Sequence, residues 1–150
     1  MLGGLARWLR ICGYDAVYVR KASDEELIER ASKEGFVLLT RDRLLYRKAI
    51  RAGLVAQLVE GGGEARSLAS ISRRFNLDLD PECSRCPNCG ASLRSEDKTA
   101  LYYRIPLRTY EAYDDFWVCD SCGKVFWRGS HWRNIVETVE EACRLVRSPL

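Results

Sequence analysis

A chain of 150 residues, 47% hydrophobic and 30% charged, has an ordinary globular composition and can bury one moderate core, or one core and a small appendage. The net charge of +3 does not announce a nucleic-acid partner, and neither half is markedly basic: Lys+Arg exceed Asp+Glu by 14 to 12 up to residue 82 and by 10 to 9 beyond it. No apolar run approaches the ~18 residues of a membrane span, and Arg7 and Arg10 break the opening apolar stretch in a way no signal peptide does, so a cytoplasmic location without a membrane partner is the expectation.

In chain order, Leu2, Leu5, Ala6, Leu9 and Cys12 fall at helical spacing, with Gly13 as a left-handed stop. Residues 16–19 form a short strand candidate. Ser23 and Glu26 have capping-box spacing and open a helix whose face is Leu27, Ile28 and Ala31 and whose stop is Gly35. A strand over 36–40 follows, then a helix carrying Leu44, Leu45, Lys48, Ala49 and Ala52 and ended by Gly53. Residues 54–59 make a third strand, Gly61-Gly62-Gly63 a turn, and residues 64–75 a fourth helix. Strands alternating with helices of about ten residues predict an α/β fold with a parallel sheet flanked by helices. Residues 76–82 include a proline, show no periodicity and are expected to be a linker between domains 1–82 and 83–150. Beyond it come paired cysteines, short aromatic-rich strands and a terminal helix carrying Ile135, Val136, Val139 and Leu145.

Seven cysteines in a chain without an export signal point to metal rather than to disulfides. Cys86-Pro-Asn-Cys89-Gly and Cys119-Asp-Ser-Cys122-Gly are two C-x-x-C-G knuckles, with 29 residues between Cys89 and Cys119. Two such pairs make the closed thiolate cage of structural zinc, which leaves no position for a substrate. Iron–sulfur ligation is disfavoured because the second pair lacks a third nearby cysteine. Cys83 could compete as a ligand but lacks the knuckle geometry, while Cys12 and Cys143 sit in apolar helical patterns as core residues.

In a parallel α/β sheet ligands gather beyond the carboxyl ends of the strands. Asp42 follows the strand over 36–40 by two residues, Asp24 lies in the helix turn after the strand candidate 16–19, and Glu60 follows the strand ending at 59. Three such carboxylates could hold Mg²⁺ or Mn²⁺ and, through it, activate a water against a phosphodiester. Each acid also has an ordinary explanation: Asp24 at a helix's positive end, Asp42 as an N-cap, Glu60 as a solvated loop acid. Pattern alone leaves both readings open.

The stretches "MLGGLARWLRICGYD", "SDEELIERASKEGFVLLTRD", "RCPNCG" and "CDSCGKVFWRGSHW" resemble the Mut-seven C-terminal ribonuclease domain family. The resemblance implies a PIN-like nuclease domain followed by a zinc ribbon. It assigns Asp24 and Asp42 to the metal site, Thr40 and Arg41 to the flanks of the second acid, and Cys86, Cys89, Cys119 and Cys122 to the ribbon. His131 falls in a motif just after the ribbon. In that family an apolar strand ending in Asp comes before the "MLG" stretch; the sequence begins at Met1 within it, so either the start is assigned too late or the expected PIN-like fold lacks its first strand and first acid.

The resulting expectation is a metal-dependent endoribonuclease whose catalytic acids are Asp24, Asp42 and Glu60. RNA contacts from Arg41, Arg43 and His131 are expected, and no dinucleotide cofactor. His131 could equally be a packing residue of the ribbon, and the aromatics of the second half could form its core or stack unpaired bases. The alternative is a non-catalytic, zinc-stabilised RNA- or ribosome-binding adaptor. A small-molecule or protein-binding α/β domain has no supporting motif.

Overall fold

The computed structural model describes residues 2–148. Helix α1 (Gly3–Ile11) buries Leu5, Ala6, Leu9 and Ile11, and the chain leaves it through Gly13 at φ +89°. A Cβ at Gly13 would stand 2.8 Å from the carbonyl oxygen of Cys83, so this position needs glycine for space as well as for conformation. Helix α2 (Asp24–Glu34) has the capping box read from Ser23 and Glu26: the Glu26 amide donates to Ser23 Oγ at 3.2 Å and the Ser23 amide to the Glu26 carboxylate at 2.7 Å. Gly35 ends it in the left-handed conformation.

Strand β1 (Leu38–Thr40), helix α3 (Arg43–Arg51), strand β2 (Ala56–Leu58) and helix α4 (Glu64–Phe75) complete the α/β part. The strands are parallel, with Leu38 opposite Ala56 and Thr40 opposite Leu58. Both are shorter than the alternation implied.

The expected strand over 16–19 does not form. This stretch has no regular secondary structure: no backbone hydrogen bond ties it to another strand, and the Ala16 carbonyl instead accepts from Arg10 Nε at 2.7 Å. Alternating Val and Tyr give a segment β-propensity, yet a strand also needs a partner edge. Among the described residues the sheet is therefore two-stranded, and β1 pairs on one side only. Along that free edge runs an apolar groove of about 580 Å³, walled by Leu5 and Leu9, by the 16–19 stretch, and by Leu38 and Leu39.

The expected linker is also packed. Leu79 is buried and Leu77 leans on the same core, while Tyr14 donates its hydroxyl to the Asp78 carbonyl at 2.8 Å. A short 3-10 turn at Pro81–Cys83 follows, capped by Asp80.

Strands β3 (Leu93–Glu96), β4 (Phe116–Cys119) and β5 (Val125–Trp127) form an antiparallel sheet in that order. It has its own core of Leu101, Ile105, Phe116 and Val118, with Tyr110, Tyr113 and Trp127 packed around it. Four of the nine Phe, Tyr and Trp residues of this half thus belong to its core or pack on it. Helix α5 (Leu107–Ala112) follows Pro106, and helix α6 (Ser130–Arg147) ends the described chain. The apolar stripe of α6 returns to the first core: Val139 and Ala142 are buried against α4 and its neighbours. The Arg73 guanidinium on α4 donates to the Leu145, Val146 and Ser148 carbonyls near the end of α6. No described helix is long and apolar enough to cross a membrane.

Candidate metal centre and carboxylate rim

The two knuckles are built alike. In the first, the Gly90 amide donates to the Cys86 carbonyl at 2.8 Å and the Cys86 amide to the Ala91 carbonyl at 2.8 Å. In the second, Gly123 donates to the Cys119 carbonyl at 3.1 Å and Cys119 to the Lys124 carbonyl at 2.9 Å. Gly90 and Gly123 both have positive φ, +86° and +70°, which is why each C-x-x-C is followed by glycine. Pairing of β3 with β4 sets Leu93 opposite Cys119 and brings the knuckles face to face.

The outcome is four sulfurs whose ligand atoms lie within 4.8 Å of one another. Cys86 Sγ stands 3.7 Å from Cys122 Sγ, and Cys89 Sγ 3.4 Å from Cys119 Sγ. A tetrahedral ion with Zn–S bonds of about 2.3 Å needs sulfurs roughly 3.8 Å apart, so the donor set fits zinc in type and spacing. The amides of Ser121 and Cys122 both approach Cys119 Sγ at 3.4 Å. Burial pushes the Cys119 thiol up, but hydrogen bonds from those amides and from the Cys89 and Cys122 thiols together bring the group down to about 6. Burial pushes the Cys86 thiol up to about 12, and a metal ion bound there would displace its proton. Cys83 stays outside the cage, its thiol directed to Asp80 Oδ2 at 3.6 Å. Cys12 is buried and Cys143 packs on the same core.

The acids occupy a rim fixed by the parallel pair. Thr40 and Leu58 are register partners, and the Val59 amide donates to the Thr40 carbonyl at 2.7 Å. Asp42 and Glu60 therefore step off adjacent strands at the same offset, two residues past each member of that pair. Asp42 caps α3: its Oδ1 accepts from the Leu44 and Leu45 amides at 2.6 and 3.2 Å, while its own amide donates to buried Thr40 Oγ1 at 3.0 Å. Oδ2 of Asp42 has no hydrogen-bond donor among the described residues. Asp24, in the first turn of α2, pairs instead with Lys48 of α3 at 2.8 Å, and Glu25 reaches the same ammonium at 3.3 Å. Those two hydrogen bonds raise the Lys48 pKa. Glu60 is exposed and unpaired among the described residues.

Asp42 and Glu60 thus leave adjacent strands, while Asp24 is tied to α3 through Lys48, and the three are not gathered as the cysteines are. Among the described residues the four cysteines are the one group of three or more His, Cys, Asp or Glu ligand atoms within 4.8 Å. The carboxylates suit a hard cation in chemistry and not in spacing. Arg41 and Arg43 are exposed beside Asp42, and His131 is exposed in the first turn of α6. Sequence reasoning missed Lys48 as the partner of Asp24, because the pair spans 24 residues between two helices.

The sequence profile of the Mut7-C RNAse domain matches residues 1–139. The chain belongs to that family. The Mut7-C match takes in the carboxylate rim, both knuckles and most of α6, so all the elements described fall within it except the last turns of that helix. No curated protein and no solved structure matches the chain.

Proposed function

We propose that the protein is a metal-dependent endoribonuclease, with a PIN-like domain at 1–82 carrying the reacting groups and a zinc ribbon in 83–150 that helps hold the RNA. The observation that carries the reading is the RNAse family match across 1–139. The common offset of Asp42 and Glu60 from paired parallel strands supports it. In this reading Asp24, Asp42 and Glu60 hold Mg²⁺ or Mn²⁺, which when bound supplies an activated water and offsets charge on the phosphodiester. Asp42 presents Oδ2 while Oδ1 stays committed to the α3 amides, so capping and ligation are compatible in one side chain. Asp24 must give up Lys48, whose ammonium keeps Glu25 as a partner at 3.3 Å. Arg41, Arg43 and His131 lie on exposed positions where RNA can reach them.

The test is incubation of the zinc-loaded protein with labelled single-stranded RNA, with and without Mg²⁺ or Mn²⁺, beside Asp42→Asn. Cleavage that needs the cation and is lost in the variant is the expected result. Cleavage indifferent to Asp42→Asn refutes the site. A second reading, a non-catalytic RNA- or ribosome-binding adaptor, is favoured by the Asp24–Lys48 pair, which already neutralises one of the acids. RNA binding without cleavage under any divalent cation would decide for it.

A further inference from the structure

Where α1 meets the first knuckle, a second cleft of about 550 Å³ opens. Four of its nine lining residues are cationic, Arg7, Arg10, Arg20 and Lys124, and none is acidic. Its walls also carry two aromatic rings, Tyr18 and Phe126. Such a concentration is unexpected in a chain whose charges nearly balance, 24 Lys+Arg against 21 Asp+Glu. None of the seven ion pairs among the described residues involves any of these four cations.

The partners they do have are neutral. Arg10 donates from Nε to the Ala16 carbonyl at 2.7 Å and from Nη1 to the Asn88 and Pro87 carbonyls at 3.0 and 3.3 Å. Lys124 donates to Asn88 Oδ1 at 3.1 Å. Carbonyl oxygens orient a cation without cancelling its charge, and Arg10 keeps its Nη2 edge free of protein partners among the described residues. Four like charges held in one concavity repel one another, and that cost is recovered when an anion enters.

We propose that this cleft binds the sugar-phosphate backbone of single-stranded RNA, with Arg7, Arg20 and Lys124 on phosphates, the fixed Arg10 fork between them, and a base against Tyr18 or Phe126. The proposal rests on the ribonuclease reading above and names where its substrate is gripped. Cations interleaved with aromatic faces match an unpaired strand, whose phosphates need charge and whose exposed bases need rings. An acidic peptide would use the charges and leave the rings without a role. Position agrees: Tyr18 also lines the apolar groove beside β1, and that groove reaches Arg41 next to Asp42. A strand lying in the cleft would thus pass toward the carboxylate rim. The knuckle turns supply Asn88 and Lys124, so the cysteine centre shapes one wall of the cleft.

The experiment measures affinity of the zinc-loaded full chain for a fluorescent single-stranded RNA oligonucleotide by anisotropy over a salt series. It compares Arg7→Gln/Arg20→Gln/Lys124→Gln with a charge-matched control, Lys33→Gln/Arg108→Gln/Arg133→Gln, on exposed positions elsewhere. Zinc content, measured for each, verifies that the knuckles are intact. The cleft variant should bind about 10-fold more weakly or worse, and the slope of log K against log salt should flatten by about 2 for three lost contacts on a single strand. The control should change less than about threefold, as scattered surface charges do. Equal losses in the two variants overturn the cleft. So does an unchanged cleft variant while the wild type still cleaves RNA, which leaves the ribonuclease reading standing. Wild-type protein that binds no RNA removes both proposals, and a polyglutamate peptide that competes as well as RNA overturns the RNA assignment in favour of an acidic protein partner.

Discussion

Arg10 is the strut between α1 and the first knuckle, and its replacement gives a quantity that can be worked out beforehand. Arg10→Ala removes three hydrogen bonds from a charged donor, at 2.7, 3.0 and 3.3 Å. Bonds of this type contribute about 1.5–3 kcal/mol each when well shielded. Asn88 is exposed and Pro87 half-buried, so water recovers part of the loss there, and the two bonds from Nη1 together merit only the low end. The sum is about 3 kcal/mol. Arg10→Lys, with one ammonium able to reach one carbonyl, should recover about 1 kcal/mol of it. In urea melts of the zinc-loaded protein followed by tryptophan fluorescence, a loss of that size lowers the midpoint by roughly 1–2 M. Zinc transfer to a chromogenic chelator should also quicken, since the Pro87 and Asn88 carbonyls lie inside the knuckle that Arg10 holds. A loss under about 0.5 kcal/mol, or a lysine variant as stable as wild type, would refute the strut.

Three further outcomes follow from the same geometry. Asp42→Ala should cost about 1 kcal/mol by leaving the α3 amides uncapped, whereas Asp42→Asn should cost only a few tenths; equal costs in thermal melts would show that the cap contributes nothing. Stripping zinc should unfold 83–133, seen as a red shift of tryptophan emission, while helical ellipticity from α4 and α6 persists; a fold unchanged after complete chelation refutes a structural ion. Burial raises the Cys12 thiol from 9.0 to about 12. Both folded and unfolded chains keep the proton below pH 9, and above it the unfolded chain ionises first, so stability falls between pH 9 and 12 by at most about 4 kcal/mol. Cys12→Ala should flatten that alkaline limb in urea melts, and an unchanged slope would contradict the burial.

What the sequence made legible was whatever is encoded within one turn or one helix. The capping box of α2, the glycine stops at 13 and 35 and the span of α4 depend on residues a few positions apart, and each forms as its pattern implies. The cysteine cage was legible for the same reason: each knuckle is complete in five residues, and only the meeting of the two requires the sheet. Residues 16–19 show the opposite case, because a strand exists only where another edge accepts it. Leu77 and Leu79 look like linker residues until α6 supplies a core for them. Asp42 forms the cap that its position allowed, with one oxygen to spare. Lys48 and Arg10 meet partners 24 and 77 or more residues away, and no local spacing announces such contacts.

The return of α6 to the first core gives the chain an unusual connectivity. Residues 84–128 leave from the 3-10 turn at Pro81–Cys83 and come back at Gly129, so the cysteine-bearing sheet is a loop pinned at both ends by one core. Its apex includes Tyr103, 96% exposed, beside half-exposed Tyr102. Cutting the backbone there would open the loop without freeing either piece. The fragment ending near Tyr103 and the one beginning after it would stay joined through α4 against α6 and through sulfurs contributed by both, two from each side of the cut. A nicked molecule would run as one particle in native buffer and as two chains in denaturant, a form of non-covalent complementation written into the path of the last helix.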